Sequence, residues 1–277
     1  MTANLLVSAQ WPGPKDFSPA AAALAPFLGL HQSDAASELK RSRGLLPVAL
    51  DAAAAAAACA AMTQAGHPWH AVPTGLAPTL PTALTTRGVD PRDPERLTAP
   101  VRMTGAPESA LWRQVLAAVP ATWVNRSEQR VGPKPKKRSA AKVMMSVATT
   151  GGIDLLFSKQ PRASDGALEV TDDATPMLVL IIAGGPDGAL RRLHVFANRC
   201  DYRVLTSPSG NVSMNWRLLL GEVADRLRPD LAGMALLRAA AAGKSAPDWL
   251  TLMDNNDLGR SVRWLMCTAA LRRMGRL

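Results

Sequence analysis

Aromatic side chains make up only 4% of this 277-residue chain, and tyrosine occurs once. Much of the 47% apolar content is alanine instead. Burying alanine removes little area from water, so the effective core is smaller than that percentage suggests. Cysteine is scarce as well, at three residues: Cys59, Cys200 and Cys267. Odd in number and widely spaced, these thiols argue against a disulfide framework and a zinc ribbon, and suit a reducing compartment. Long apolar runs are also missing. The most apolar, MLVLIIA at 177–183, is far short of the roughly 20 residues a bilayer requires, so no membrane insertion is expected. The opening MTANLLVSAQWPGPK lacks the basic n-region and long apolar core of a signal peptide. A cytoplasmic protein is the expectation.

Recognisable chemistry is equally thin. There is no G-x-S-x-G elbow, and TSPSGN at 206–211 is loop-forming throughout. GGPDG at 184–188 lacks the Walker lysine and precedes a charged strand rather than a helix, so it reads as a hairpin turn. His67 and His70 in HPWH have no neighbouring Cys or carboxylate cluster and read as partly exposed imidazoles on a strand. Cys200, between Arg199 and Arg203, is in a setting that could lower a thiol pKa. No histidine partner accompanies it, and it reads as a structural thiol. DNND at 254–257 fits helix caps better than a calcium loop. Asp172 and Asp173 read as turn residues. No catalytic residue, metal ligand or cofactor site is assigned, and the reading leans away from an enzyme.

What is present is organisation. Proline and glycine total 22 and 20 residues, and they divide the chain into three parts. Residues 1–73 read as a small α/β domain in the order strand, helix, helix, strand, helix, strand. Ser18 is the expected first cap, with Pro19 at the first helical position; Ser33 opens the second helix, and Gly66 closes the third. Residues 74–106 read as a Pro/Thr-rich linker. Residues 107–277 read as an α+β domain containing a basic connector at 126–142. Within it, PESALWRQVLAAVP predicts a helix, with Leu111, Trp112, Val115, Leu116 and Val119 recurring at helical spacing. VMMSVATTGGIDLLFS and MLVLIIAGGPDGALRRLHVFA predict two hairpins, the second exposing Arg192 and His194 together. NWRLLLGEVADRLR predicts a helix burying Trp216, Leu219, Leu220, Val223 and Leu227, and further helices end the chain. Strands first and helices after predict an α+β fold, an antiparallel sheet with helices on one face.

Within 4–73, the element order and the run LGLHQSDAASELK, set before a strand and an Ala-rich helix ending in AG, resemble the C-terminal domain of the bacterial ribosomal stalk protein. The resemblance covers about a quarter of the chain. It implies a compact two-layer domain that binds other proteins. The family's helical face for translation factors is rich in lysine and glycine, whereas this chain has alanine or acidic residues over most of that face. Factor binding is therefore not carried over.

The net charge of +10 bears on partners and solubility rather than fold. Its densest cluster is VGPKPKKRSAAK at 131–142. Lys134, Lys136, Lys137, Arg138 and Lys142 could each neutralise a phosphate, but no aromatic is interleaved to stack on bases. Arg260, Arg263, Arg272 and Arg273 add charge to the last helix, where the dipole favours cations near the C-terminus. The leading expectation is a non-catalytic interaction or scaffold protein with an unidentified protein partner, the basic segment serving as a tether. The alternative is electrostatic nucleic-acid binding through that segment and the arginine-bearing final helices. An enzyme of unfamiliar design is the third.

Overall fold

The computed structural model of the chain describes residues 4–11, 16–101, 107–131, 167–184, 189–252 and 254–277. Met1–Trp123 and Ala174–Leu277 make one compact unit, and Val124–Asp173 a second. Among the described residues, six α-helices and ten strands form an α+β fold with antiparallel and mixed sheets.

The N-terminal elements follow the order read from the sequence: β1 (Asn4–Ser8), α1 (Ser18–Leu28), α2 (Gln32–Ser42), β2 (Leu45–Val48), α3 (Ala52–Gln64) and β3 (Trp69–Pro73). β1 is the centre of an antiparallel sheet ordered β2-β1-β3. Local chemistry sets the helix starts. The Asp16 carboxylate accepts the Ser18 N–H at 2.8 Å, which places Ser18 inside the first turn rather than at the cap. His31, not Ser33, caps α2 by accepting the Ser33 N–H, and Asp51 caps α3 by accepting that of Ala54 at 2.7 Å. Pro47 is tolerated because β2 is an edge strand, where a missing N–H breaks no ladder. All five residues of β1 are buried. Leu6 packs among the alanines, Leu24, Leu39 and Met62 of α1, α2 and α3. Leu5 and Val7 point the other way and need a second cover.

That cover is the last helix, α6 (Asn255–Arg273, with α4 and α5 given below). Its Trp264, Cys267 and Leu271 pack on Leu5, Val7, Leu45 and Val72, and the Trp264 indole donates to the Ser8 carbonyl at 2.9 Å. The opposite side of α6 meets the main sheet through Leu258 and Val262. That sheet runs β10-β7-β8-β9-β4, with β4 (Ala83–Thr86), β7 (Val115–Val131), β8 (Ala167–Ile182), β9 (Arg191–Phe196) and β10 (Thr251–Leu252). β8 and β9 are antiparallel, whereas β4 runs parallel to β9 and β10 parallel to β7. On its other face lie α4 (Val212–Arg226) and α5 (Met234–Ala241), whose Trp216, Leu219, Leu220, Val223 and Leu237 pack against Leu178, Leu180 and Ile182. Helices therefore cover both faces of the sheet, not one. The apolar run at 177–182 requires this, since successive strand residues face opposite ways and all six are buried.

Other sequence expectations change for traceable reasons. The helix predicted over 107–120 is instead β6 (Pro107–Leu111), a 3-10 turn (Trp112–Gln114) and the start of β7. Val115, Ala117, Ala118, Val119 and Ala121 are all buried, as expected of a central strand covered on both faces; apolar residues there satisfy a helical spacing by coincidence. Pro120 fits because its absent N–H falls between the Ala117–Ala232 bridge and the β10 pairing at Thr122. The stretch 74–106 is not plain linker. It supplies β4 and also β5 (Arg96–Pro100), which pairs antiparallel with β6. Arg192 and His194 are not exposed; they retain 6% and 4% of their surface, because α6 closes the face they share. The first predicted hairpin, at 143–158, lies outside the described residues. In the second, β8 and β9 pair as expected, and β8 extends back through ALEVTD as one 16-residue strand.

Candidate functional site

Of the expected polyanion residues, only Arg260, Arg263, Arg272 and Arg273 are among those described. Lys134, Lys136, Lys137, Arg138 and Lys142 lie outside the described residues, and the preceding part of the connector, 126–131, is the end of β7. On α6 the arginines act largely as internal ties. The Arg260 guanidinium donates to the Arg41 carbonyl at 2.8 Å, and Arg263 donates twice to the Ala77 carbonyl at 3.2 and 2.8 Å. Arg273 lies 3.9 Å from Asp230, and Arg272 is exposed. Arg276 donates to the Ala71 carbonyl at 3.4 Å, and Arg43 pairs with Asp257 at 2.6 Å. Two of these contacts, Arg260 to Arg41 and Arg43 to Asp257, join α6 to residues 4–73; Arg276, just past the helix, adds a third, and Arg263 ties α6 to Ala77. The partners of Arg260, Arg263 and Arg276 are backbone carbonyls, of which the sequence carries no acidic signature; only Arg43 has a carboxylate, Asp257.

Groups that could do chemistry are dispersed or muted. Among the described residues no group of three or more His, Cys, Asp or Glu is placed to hold a metal ion. Burial pushes the Cys200 thiol up to about 12, with Asp201 adding to the effect, which is opposite to the activation that its flanking arginines suggested. Asp201 is instead held at about 2 by the bidentate Arg203 fork and the Arg203 N–H. Burial likewise raises Cys59 and Cys267 to about 11. His31 is spent as a helix cap, and Asp254 caps α6 by accepting the Asn256 N–H at 2.8 Å. His194 accepts a hydrogen bond from Arg192 Nε at 2.9 Å inside the core; burial first, then the guanidinium, depress its pKa to about 3. No helix among the described residues is long and apolar enough to cross a membrane.

The surface feature that does concentrate is on α4. Asn211 caps this helix through the Ser213 and Met214 N–H groups, and buried Asn215 pins the preceding loop by bonding both the N–H and the carbonyl of Ser209. Its inner face is fixed by Trp216, Leu219, Leu220 and Val223. Yet Val212, Met214 and Leu218 remain 55%, 49% and 40% exposed. Met214, Leu218 and Gly221 stand at i, i+4 and i+7, so they form one outward stripe. With Ala241 and Ala242 at the end of α5 they line a groove of about 470 Å³. Glu222 and Asp225 continue the stripe and also line a second cleft, of about 440 Å³, with Pro91, Arg92, Thr206 and Arg226. Arg226 in turn borders a third cleft, of about 380 Å³, with Arg113, Arg228, Glu95 and Trp112.

Each wall is positioned from the sequence upward. Arg226 Nε donates to the Pro91 carbonyl at 3.0 Å, and the Trp112 indole donates to the Asp93 carbonyl at 2.9 Å. The Arg217 guanidinium lies over Gly243, whose φ of 86° turns the chain out of α5. Sequence reasoning assigned α4 its core face and passed over the second stripe. The signal was legible in Met214 and Leu218, which add apolar positions to a helix already holding a complete buried face. No family model, curated protein or solved structure matches this chain.

Proposed function

We propose that the protein is a non-catalytic protein-binding or scaffold protein whose partner docks on α4. The observation that carries this reading is the exposed stripe of Met214 and Leu218 over the alanine-lined groove. Exposed apolar side chains scattered singly need no explanation, but a contiguous set on one helix, rimmed by charge, is characteristic of an interaction surface. Methionine suits such a surface because its flexible thioether adapts to a partner. The resemblance of 4–73 to a protein-binding domain points the same way.

A photo-crosslinking amino acid placed at Met214 tests it in cells that make the protein. Discrete covalent adducts with polypeptides are expected there, and none from a control position at exposed Leu30. Equal adducts at both positions, or none at Met214, would sink the reading.

Nucleic-acid binding is the second reading, favoured by one observation: Arg113, Arg226 and Arg228 converge on the third cleft. It now rests on these arginines and the 131–142 segment, not on Arg260 and Arg263. Fluorescence anisotropy with mixed-sequence oligonucleotides at about 50 and 200 mM salt separates the cases. If the reading holds, affinity falls steeply with salt and with Arg113→Ala plus Arg228→Ala, while Arg263→Ala leaves it unchanged. Arg263→Ala should cost stability instead, about 1–2 kcal/mol for two lost charge-assisted bonds. Salt-insensitive or absent binding would remove nucleic acid from consideration.

A further inference from the structure

The three clefts beside α4 share walls: Glu222 and Asp225 belong to the first and second, and Arg226 to the second and third. They therefore form one track along the helix, and its chemistry changes in a fixed order. It begins apolar at Met214 and Leu218, with the Arg217 guanidinium turned aside over Gly243. It turns acidic at Glu222 and Asp225, where Arg92 is already neutralised by Asp90, and ends basic at Arg226, Arg228 and Arg113, which outnumber the one carboxylate there, Glu95. We propose that this track receives a helical segment of another protein that presents, in matching order, apolar, basic and acidic side chains. The proposal rests on the protein-binding reading and adds the identity of the bound surface.

The apolar end is shaped for helix-in-groove docking, in which anchors at i, i+4 and i+7 seat between two helices. A side chain added at Gly221 would meet no atom within 4 Å, and Ala241 and Ala242 keep the facing wall low. A partner's leucine-sized anchors therefore have room. Next along the track, neither Glu222 nor Asp225 is paired among the described residues. Two free carboxylates at the edge of an apolar groove favour a Lys or Arg on the partner and repel an acid, which sets register as much as affinity. At the far end, Arg226 spends only Nε on the Pro91 carbonyl, and the guanidinium groups of Arg113 and Arg228 make no hydrogen bond or ion pair among the described residues. Guanidinium groups with free forks take carboxylates bidentately.

Positions 214 to 228 follow α4 and the residues just past it, a path of about 21 Å at 1.5 Å per residue, so the bound segment has about 14 residues. The same order disfavours a phosphate chain as occupant. Such a chain would have to pass Glu222 and Asp225 and leave the Met214–Leu218 groove unfilled.

The test is selection of a displayed library of random 16-residue peptides on the intact protein. Recovered peptides are expected to carry apolar residues at helical spacing, then Lys or Arg, then Asp or Glu, in one consistent direction. Their binding should fall at least tenfold on Leu218→Asp. A variant with Glu222→Lys, Asp225→Lys, Arg113→Glu and Arg228→Glu should select the order apolar, acidic, basic instead. All five positions are wholly or partly exposed, and unchanged thermal unfolding of each variant verifies that folding is not the cause. Recovery of apolar peptides without charge order would overturn this proposal while leaving the Met214 crosslinking result to decide the broader reading. Recovery of nothing, or of peptides indifferent to Leu218→Asp, would overturn it outright. So would displacement of the recovered peptides by oligonucleotide alone.

Discussion

Gly233→Ala is expected to cost on the order of 3–5 kcal/mol, enough to leave a marginally stable chain largely unfolded. Gly233 opens α5 at a φ of 86°, and an added Cβ would stand 2.3 Å from the Ala118 carbonyl oxygen and 3.0 Å from Val119 Cγ2. Ala118 cannot move aside cheaply. It belongs to central strand β7, donates to the Ala232 carbonyl at 3.0 Å, and is flanked by the Ala117–Ala232 bridge. The left-handed backbone alone accounts for about 1–2 kcal/mol when any residue other than glycine adopts it. Gly66→Ala is the control, because Gly66 has the same φ of 86° with nothing within 4 Å of its added Cβ. Urea denaturation of both variants should show the Gly233 loss exceeding the Gly66 loss by at least 2 kcal/mol. Equal losses would mean that α5 and β7 are not held in this close approach.

How far the sequence revealed the fold depends on how local each signal was. Asp51, Asn211 and Asp254 cap their helices through contacts only two or three residues away. Elements started by such contacts were readable, and the order of 4–73 was read correctly. The later part of segment 107–120, residues 115–120, was not, because the strand identity of β7 depends on neighbours β8, β10 and Ala232, all distant in sequence. For Arg192 and His194, alternation along β9 correctly put them on one face. That the face is closed by α6 is a fact of tertiary packing, with Gly259 lying close to the Arg192 guanidinium. The candidate site divides the same way. The apolar stripe of α4 was present in the letters, whereas the third cleft needs Arg113 from a turn before β7 to meet Arg228 after α4.

Charge shows why composition misleads about partners. A count of arginines on α6 suggests a polyanion surface, yet Arg260, Arg263 and Arg276 are directed at carbonyls of Arg41, Ala77 and Ala71. A carbonyl accepts a guanidinium without altering the net charge, so an internal tie and a free cation contribute equally to a total of +10. What α6 gains is attachment: apolar contact to the β1 face on one side, apolar contact to the main sheet on the other, and guanidinium bonds at its margins. The N-terminal sheet is thus covered on its second face by the chain's own last helix. The surfaces left for partners on this segment are those of α1, α2 and α3.

Acid should destabilise the protein through His194, and the sign follows from its burial. In the unfolded chain its imidazole takes a proton near the ordinary value of 6.5, but in the fold its pKa falls to about 3. The unfolded state therefore binds more protons throughout that interval, so stability is fully present above about pH 6.5 and is lost as pH falls toward 3. A single site of this kind removes about 2 kcal/mol by pH 5 and about 4 kcal/mol by pH 3. Physically, protonation would replace the acceptor that Arg192 Nε uses at 2.9 Å with a second cation. In register, the neighbouring strands offer Val179 and Thr85, and Phe196 meets the ring edge-on at 6.2 Å, so none of these brings a carboxylate to compensate. His194→Gln keeps an acceptor oxygen for Arg192 and does not titrate. Chemical unfolding from pH 7 to 5, above most carboxylate titrations, should show the native chain losing about 2 kcal/mol more than this variant. His70, which burial also depresses, contributes equally to both and cancels in the comparison. Parallel stability profiles in the two proteins would mean that His194 is reached by protons in the folded state, and that α6 does not close over it.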